Sequence, residues 1–166
     1  MYDALAVANH FLELAGRDDR KIDPMKIQKL VYFAHGWHLA LVDEPLIRER
    51  IEAWDYGPVI PVLYQSFRKF GSSPITEKGV ELKIQGGSVV MVRPKIGDPC
   101  NSGDDDYAKA LLENVWETYK DYSALQLSSL THRPESPWQI ARTDGARAIS
   151  DELIKSHFKR EFGLEQ

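Results

Sequence analysis

A cap residue followed by a proline, Asp23-Pro24, opens the longest apolar-patterned segment of the chain. An aspartate accepts hydrogen bonds from the free amides of a helix start, and a proline at the first helical position loses nothing by lacking its N–H. Beyond it, Ile27, Leu30, Val31, Ala34, Trp37, His38 and Leu41 recur at helical spacing as one broad apolar stripe. Such a helix must lay its stripe against other elements, so the rest of the chain has to supply a core around it.

The chain supplies mostly helices. Leu5, Ala8, Phe11, Leu12 and Ala15 predict a first helix over 2–16, stopped by Gly16. Residues 51–56 read as a short extended segment that Gly57-Pro58 breaks. Pro61 starts a third helix with Ile60, Leu63, Phe67 and Phe70 on its apolar face, and Gly71 is placed to cap its end. Val80, Leu82 and Ile84 alternate, Gly86-Gly87 turns the chain, and 89–92 returns as a β-hairpin. A polar loop over 94–106 leads into a helix through Ala108, Leu111, Leu112, Val115 and Tyr119. Ser123 with Gln126, and Ser136-Pro137 with Gln139, read as capping boxes of two short helices. Ser150 opens a last helix with Ile154, Phe158 and Phe162 inside, ended by Gly163. The fold expected is mainly α (α+β by strict count): one compact multi-helix domain over 1–166 with a small β-hairpin appended.

Charge and composition narrow the partners. A net charge of −4 and a pI near 5.7 give no global attraction to a phosphate backbone, and no helix gathers a basic face, so no nucleic-acid partner is expected. The single cysteine, Cys100, leaves no internal disulfide and no paired-thiol motif. No apolar run approaches the roughly 18 residues of a membrane span, and the first residues lack the pattern of a signal peptide. A cytoplasmic protein without a membrane partner is expected.

No catalytic residue, metal or cofactor is assigned. His35 and His38 stand three apart on one helix, but no spacing motif adds His10, His132 or His157 as further ligands. His38 falls on the apolar stripe and reads as a hydrogen-bonded core histidine. Thr131-His132 looks like a nucleophile and base, yet neighbours on a helix end are expected to point in different directions. Asp104, Asp105 and Asp106 lack the order of a calcium loop and suit a helix N-terminus instead. Among the aromatics, Trp37, Trp54, Tyr56, Tyr64, Trp116 and Trp138 each read singly as core, with Trp54 and Tyr56 projecting from one side of the extended segment.

The order of motifs adds a family. Residues 25–40 (MKIQKLVYFAHGWHLA) resemble the opening signature of the Panacea (SocA-like) antitoxin domains. Residues 52–61 (EAWDYGPVIP), followed by Tyr64, Phe67 and Phe70-Gly71, resemble the second block. Leu130-Thr131-His132 running on to Ser136-Pro137-Trp138 is similar to the third, and Ile149-Ser150 with Ile154 and Phe158 to the closing helix. The resemblance spans nearly the whole chain. It implies a non-enzymatic antitoxin that neutralises, by direct binding, a toxin encoded by an adjacent gene, often in a prophage or mobile element. A second implied reading is an adaptor that delivers the toxin to an AAA+ protease of the ClpXP type. Apart from the resemblance, the spacing of His35 and His38 gives a third reading, a metal-dependent enzyme. Some members carry an added DNA-binding domain, which is not apparent in this sequence. Lys29, Leu30, Tyr32, Phe33, Trp37, Gly57, Pro58, Thr131, His132, Pro137 and Trp138 carry the family pattern as scaffold. Trp54, Tyr56, Tyr64 and Arg68, with the hairpin, are the expected toxin contacts.

Overall fold

In the computed structural model, which describes residues 1–161, 163 and 164, the helix begun by Asp23 runs through the middle of the molecule. This helix, α2 (Pro24–Val42), starts as expected, with the Asp23 carboxylate accepting from the amides of Met25 and Lys26 at 2.9 Å each. Its burial differs from expectation. Every residue from Lys26 to Gly36 is buried, whereas Leu41, placed on the inner stripe by its spacing, is 50% exposed. The helix is central rather than amphipathic, because neighbours cover it on all sides: α1 (Ala4–Arg17), α3 (Pro61–Phe67), α4 (Asp105–Tyr119), α5 (Ala124–Thr131) and α7 (Asp151–Glu161). Phe162, expected on the inner face of α7, lies outside the described residues.

The polar side chains on α2 survive burial by bonding the backbone of those neighbours. Gln28 accepts from the Ile60 amide at 2.8 Å and donates to the Ile60 carbonyl at 3.2 Å, which fixes the start of α3. The Lys26 ammonium reaches the Lys120 carbonyl beyond α4 at 2.6 Å. His35 accepts from the Ile47 amide through Nδ1 at 3.4 Å, which leaves the proton on Nε2 to donate to Asp151, 2.9 Å away at the head of α7.

Around this axis the sheet content exceeds the one expected hairpin. Gly57-Pro58 does not break the extended segment; it forms β2 (Gly57–Val59), which pairs antiparallel with β1 (Ile51–Trp54) through the turn Asp55-Tyr56. Pro58 is tolerated because β2 is an edge strand in the order β2-β1-β5. The third strand, β5 (Ala148–Ile149), is too short to give a periodic signal. Tyr2 lies outside the first helix and bridges Ile47 as an extended residue. Ser123 and Gln126 form the full reciprocal box. At α6 (Pro137–Thr143), Ser136 caps Gln139, but the Gln139 side chain takes the amide of Glu135 instead of that of Ser136. The hairpin of β3 (Glu81–Gln85) and β4 (Ser88–Val92) forms as read. Asp104 caps α4 through the amides of Asp106 and Tyr107. Among the described residues, no helix is long and apolar enough to cross a membrane.

The covered body of α2 and its exposed C-terminal end differ in what a truncation should do. Leu30→Ala, at a site with no exposed surface, is expected to cost about 2–5 kcal/mol in urea unfolding. Leu41→Ala should stay within about 0.5 kcal/mol. A large loss at Leu41 would restore the single-stripe reading.

Candidate functional site

The turn between β1 and β2 is held from beneath and displayed above. Beneath it lies Lys29, whose Nζ donates to the carbonyls of Tyr56 at 2.8 Å and Pro58 at 3.1 Å. Lys29 is 1% exposed, and burial pushes its amine down from the usual lysine range to about 7. A neutral amine keeps two N–H donors, which matches the two carbonyls. Ser128 on α5 donates a further bond to the Tyr56 carbonyl at 3.2 Å. Gly57 passes over this junction with φ +103°, and a Cβ there would stand 2.6 Å from Lys29 Nζ and 2.8 Å from Thr131 Oγ1. Only glycine meets both demands, a positive φ and the close approach.

Above the turn the Tyr56 side stands clear, 75% exposed. Beside it, the half-buried Trp54 ring meets Tyr64 edge to face at 5.0 Å between centroids. The Trp54 indole donates to Glu52 at 2.7 Å; that bond, with Arg147 at 3.3 Å, holds the Glu52 carboxyl below its usual range. The Trp54 carbonyl accepts from the Trp138 indole at 2.7 Å, and Arg142 pairs with Asp55 at 2.9 Å. These residues frame a cleft of about 640 Å³ lined by Met25, Gln28, Lys29, Trp54, Tyr56, Tyr64, Arg142 and Arg147 among others.

Of the expected contact residues, Trp54, Tyr56 and Tyr64 therefore converge, although Tyr56 sits in the turn and not on the extended segment. Arg68 lies apart from the cleft, at the start of the 3-10 turn Arg68–Phe70. Met25, Arg142 and Arg147 are members that sequence reasoning missed. The arginines gave no signal, because Asp55 and Glu52 lie far away along the chain. The scaffold residues cluster as packing: Leu30 is fully buried, and the Tyr32, Phe33 and Trp37 rings surround Phe158 at 6.0 to 6.1 Å. Pro137 is buried, and Trp138 lies over His132 at 3.9 Å.

Thr131 and His132 do meet, against expectation, with Thr131 Oγ1 3.2 Å from His132 Nδ1. His132 is the C-cap of α5 and has left helical geometry, so its ring swings back along the helix. Both groups also sit 2.7 Å from the Ser128 carbonyl. A carbonyl only accepts, so Nδ1 carries a proton and cannot take one from the threonine. The pair is a double cap and not a nucleophile and base. His38 Nδ1 lies 2.6 Å from the Glu44 carbonyl, which with the His35 bonds above engages both α2 histidines. Among the described residues no three His, Cys, Asp or Glu side chains are placed to hold a metal ion. What the cleft offers is aromatic walls, two arginine heads and fixed backbone, the composition of a protein-binding hot spot.

The profile of the antitoxin SocA-like, Panacea domain matches residues 27–139. The chain is also 34% identical over 163 residues to antitoxin SocA of Caulobacter vibrioides (strain NA1000 / CB15N), an alignment covering 95% of this chain and 82% of that protein. No solved structure matches the chain.

The Lys29 clamp predicts a pH dependence. Unfolded Lys29 keeps its proton to about pH 10 while the folded residue loses it near 7, so between these values the unfolded state binds more protons. Stability should therefore rise with pH across that window, by at most about 1.4 kcal/mol per pH unit from this group. Urea midpoints at pH 7.5, 8.5 and 9.5, as chosen conditions spaced by about one unit, should climb more steeply for the wild type than for Lys29→Met. Equal slopes would mean that Lys29 stays charged in its cage.

Proposed function

Since this chain belongs to the family of antitoxins with a SocA-like Panacea domain, we propose that it is itself an antitoxin that neutralises a cognate toxin by binding it directly. The toxin is the product of an adjacent gene, and the encounter takes place in the cytoplasm. The observation that carries the contact assignment is the exposed Tyr56 on a turn whose backbone is fixed by Lys29 and Ser128. A large ring presented on rigid backbone loses little freedom on binding, and aromatic residues with arginines beside them dominate binding energy at interfaces. Trp54 and Tyr64 extend the same wall, and Arg142 and Arg147 supply charge at the rim of the cleft.

The test is growth of a bacterial host expressing the adjacent open reading frame with and without this chain. Killing by the neighbour, rescue by the chain, and co-purification of the two intact proteins are the expected results. Rescue with disappearance of the neighbour protein, reversed in a host lacking the AAA+ protease, would make the chain an adaptor instead. Tyr56→Ala should leave thermal stability unchanged and weaken binding about thirtyfold or more, as loss of a hot-spot residue does. Undiminished binding by that variant would move the contact away from the cleft.

A further inference from the structure

Among the described residues, the β3–β4 hairpin has an apolar face that the rest of the chain leaves largely open to solvent. Every residue of both strands is exposed or only half-buried, so the ribbon stands out from the body as an arm. Its register sets Leu82 opposite Met91 and Ile84 opposite Val89. Alternation puts these four on one side of the ribbon, with Glu81, Lys83, Val90 and Val92 on the other. Leu82 is 70% exposed, Ile84 79%, Val89 68% and Met91 68%. Together they present a contiguous exposed apolar face, of the kind that marks an interaction site.

The arm is rigid at its root. Asn9 on α1 is buried, and its amide nitrogen donates to the carbonyls of Gly79, before β3, at 3.0 Å and Pro94, after β4, at 2.9 Å. Its amide oxygen accepts from the Gly79 N–H at 2.7 Å. A single side chain thus grips both legs of the hairpin. Gly79 is packed so closely that a Cβ would stand 2.4 Å from Leu5, which presses the root against the core. A two-stranded ribbon is marginal in water on its own, and leaving its apolar side uncovered raises that cost. Fixing the base of such a ribbon while leaving its apolar face open makes physical sense when another surface covers that face.

The arm and the cleft border on one segment of the chain. The segment 61–70 lies between them: Tyr64 lines the cleft, while Phe67, Phe70 and Met91 line a hollow of about 210 Å³ at the base of the arm. The arm alone falls short of the roughly 800 Å² that each partner buries in a stable complex, and the cleft face supplies the remainder. The four arm side chains carry no charge, so they select an apolar, uncharged surface, whereas the arginines at the cleft select a polar one.

We propose that the arm is a second contact for the toxin, its four apolar side chains covered by an uncharged apolar patch of the toxin that also reaches the cleft across α3. This rests on the antitoxin reading above. The test is binding of the purified adjacent-gene product to full-length wild type, to Ile84→Lys with Met91→Lys, and to Leu41→Lys as a control at an exposed leucine outside both surfaces. The arm variant should melt with the wild type, since the replaced side chains are exposed, yet bind about thirtyfold more weakly or worse and fail to rescue growth. Leu41→Lys should bind as wild type does. Equal binding by the arm variant overturns the proposal while leaving the antitoxin reading intact. So does a wild-type dimer, seen by sedimentation, that the arm variant dissolves without loss of toxin binding, because a second copy would then be the occupant. Failure of the wild type itself to bind overturns both readings.

Discussion

A helix surrounded on every side has no water for its polar side chains, so each one must find its partner within the protein or make the burial prohibitive. On α2 this constraint is met by aiming polar groups at the backbone of other segments. Gln28 holds the entry to α3, Lys29 the β1–β2 turn, Lys26 the end of α4, His35 the head of α7, and His38 the Glu44 carbonyl. Backbone groups in turns and helix ends are the ones left over when helices and sheets have paired their own. The central helix thus supplies what the surrounding irregular segments lack. In return, those segments satisfy side chains that could not otherwise be buried.

This exchange explains which parts of the fold were legible in the sequence. The helix start at Asp23-Pro24 was legible because capping is local chemistry, and the β3–β4 hairpin because a glycine turn lies between alternating runs. The all-round burial of α2 was not. Periodicity of apolar residues reports one stripe, and Gln28 and Lys29 count in it as solvent-facing. Their partners, the carbonyls of Ile60, Tyr56 and Pro58, have no side-chain identity that a sequence could reveal. Gly57-Pro58 read as a break because both residues weaken strands in general; here the edge position accommodates the proline, and the crowding of Lys29 and Thr131 requires the glycine.

The candidate site divides in the same way. Trp54, Tyr56 and Tyr64 could be singled out as aromatics near a glycine-proline pair, and they do share one cleft. Arg147 joins them through the pairing of β5 with β1, a strand of two residues set by tertiary contact, and Arg142 through the packing of α6 against β1 and its ion pair with Asp55. The Thr131–His132 contact depends on backbone leaving the helix at His132, a detail of the cap that residue spacing does not encode.

The turn and the arm are built on one device: a buried polar side chain on a helix grips two points of an adjoining hairpin. Lys29 bonds the carbonyls of Tyr56 and Pro58 at the β1–β2 turn, and Asn9 bonds those of Gly79 and Pro94 at the foot of the arm. In both places a glycine lies so close that a methyl group would collide with the gripping junction or the core beside it. Such clamps fix backbone while leaving side chains above it open to solvent. The ordering cost that an exposed loop would otherwise meet on binding is thereby met during folding. Asparagine does this with a neutral amide. Lysine does it with an amine that burial pushes down to about 7, and in its neutral form that amine has two N–H groups for the two carbonyls it holds.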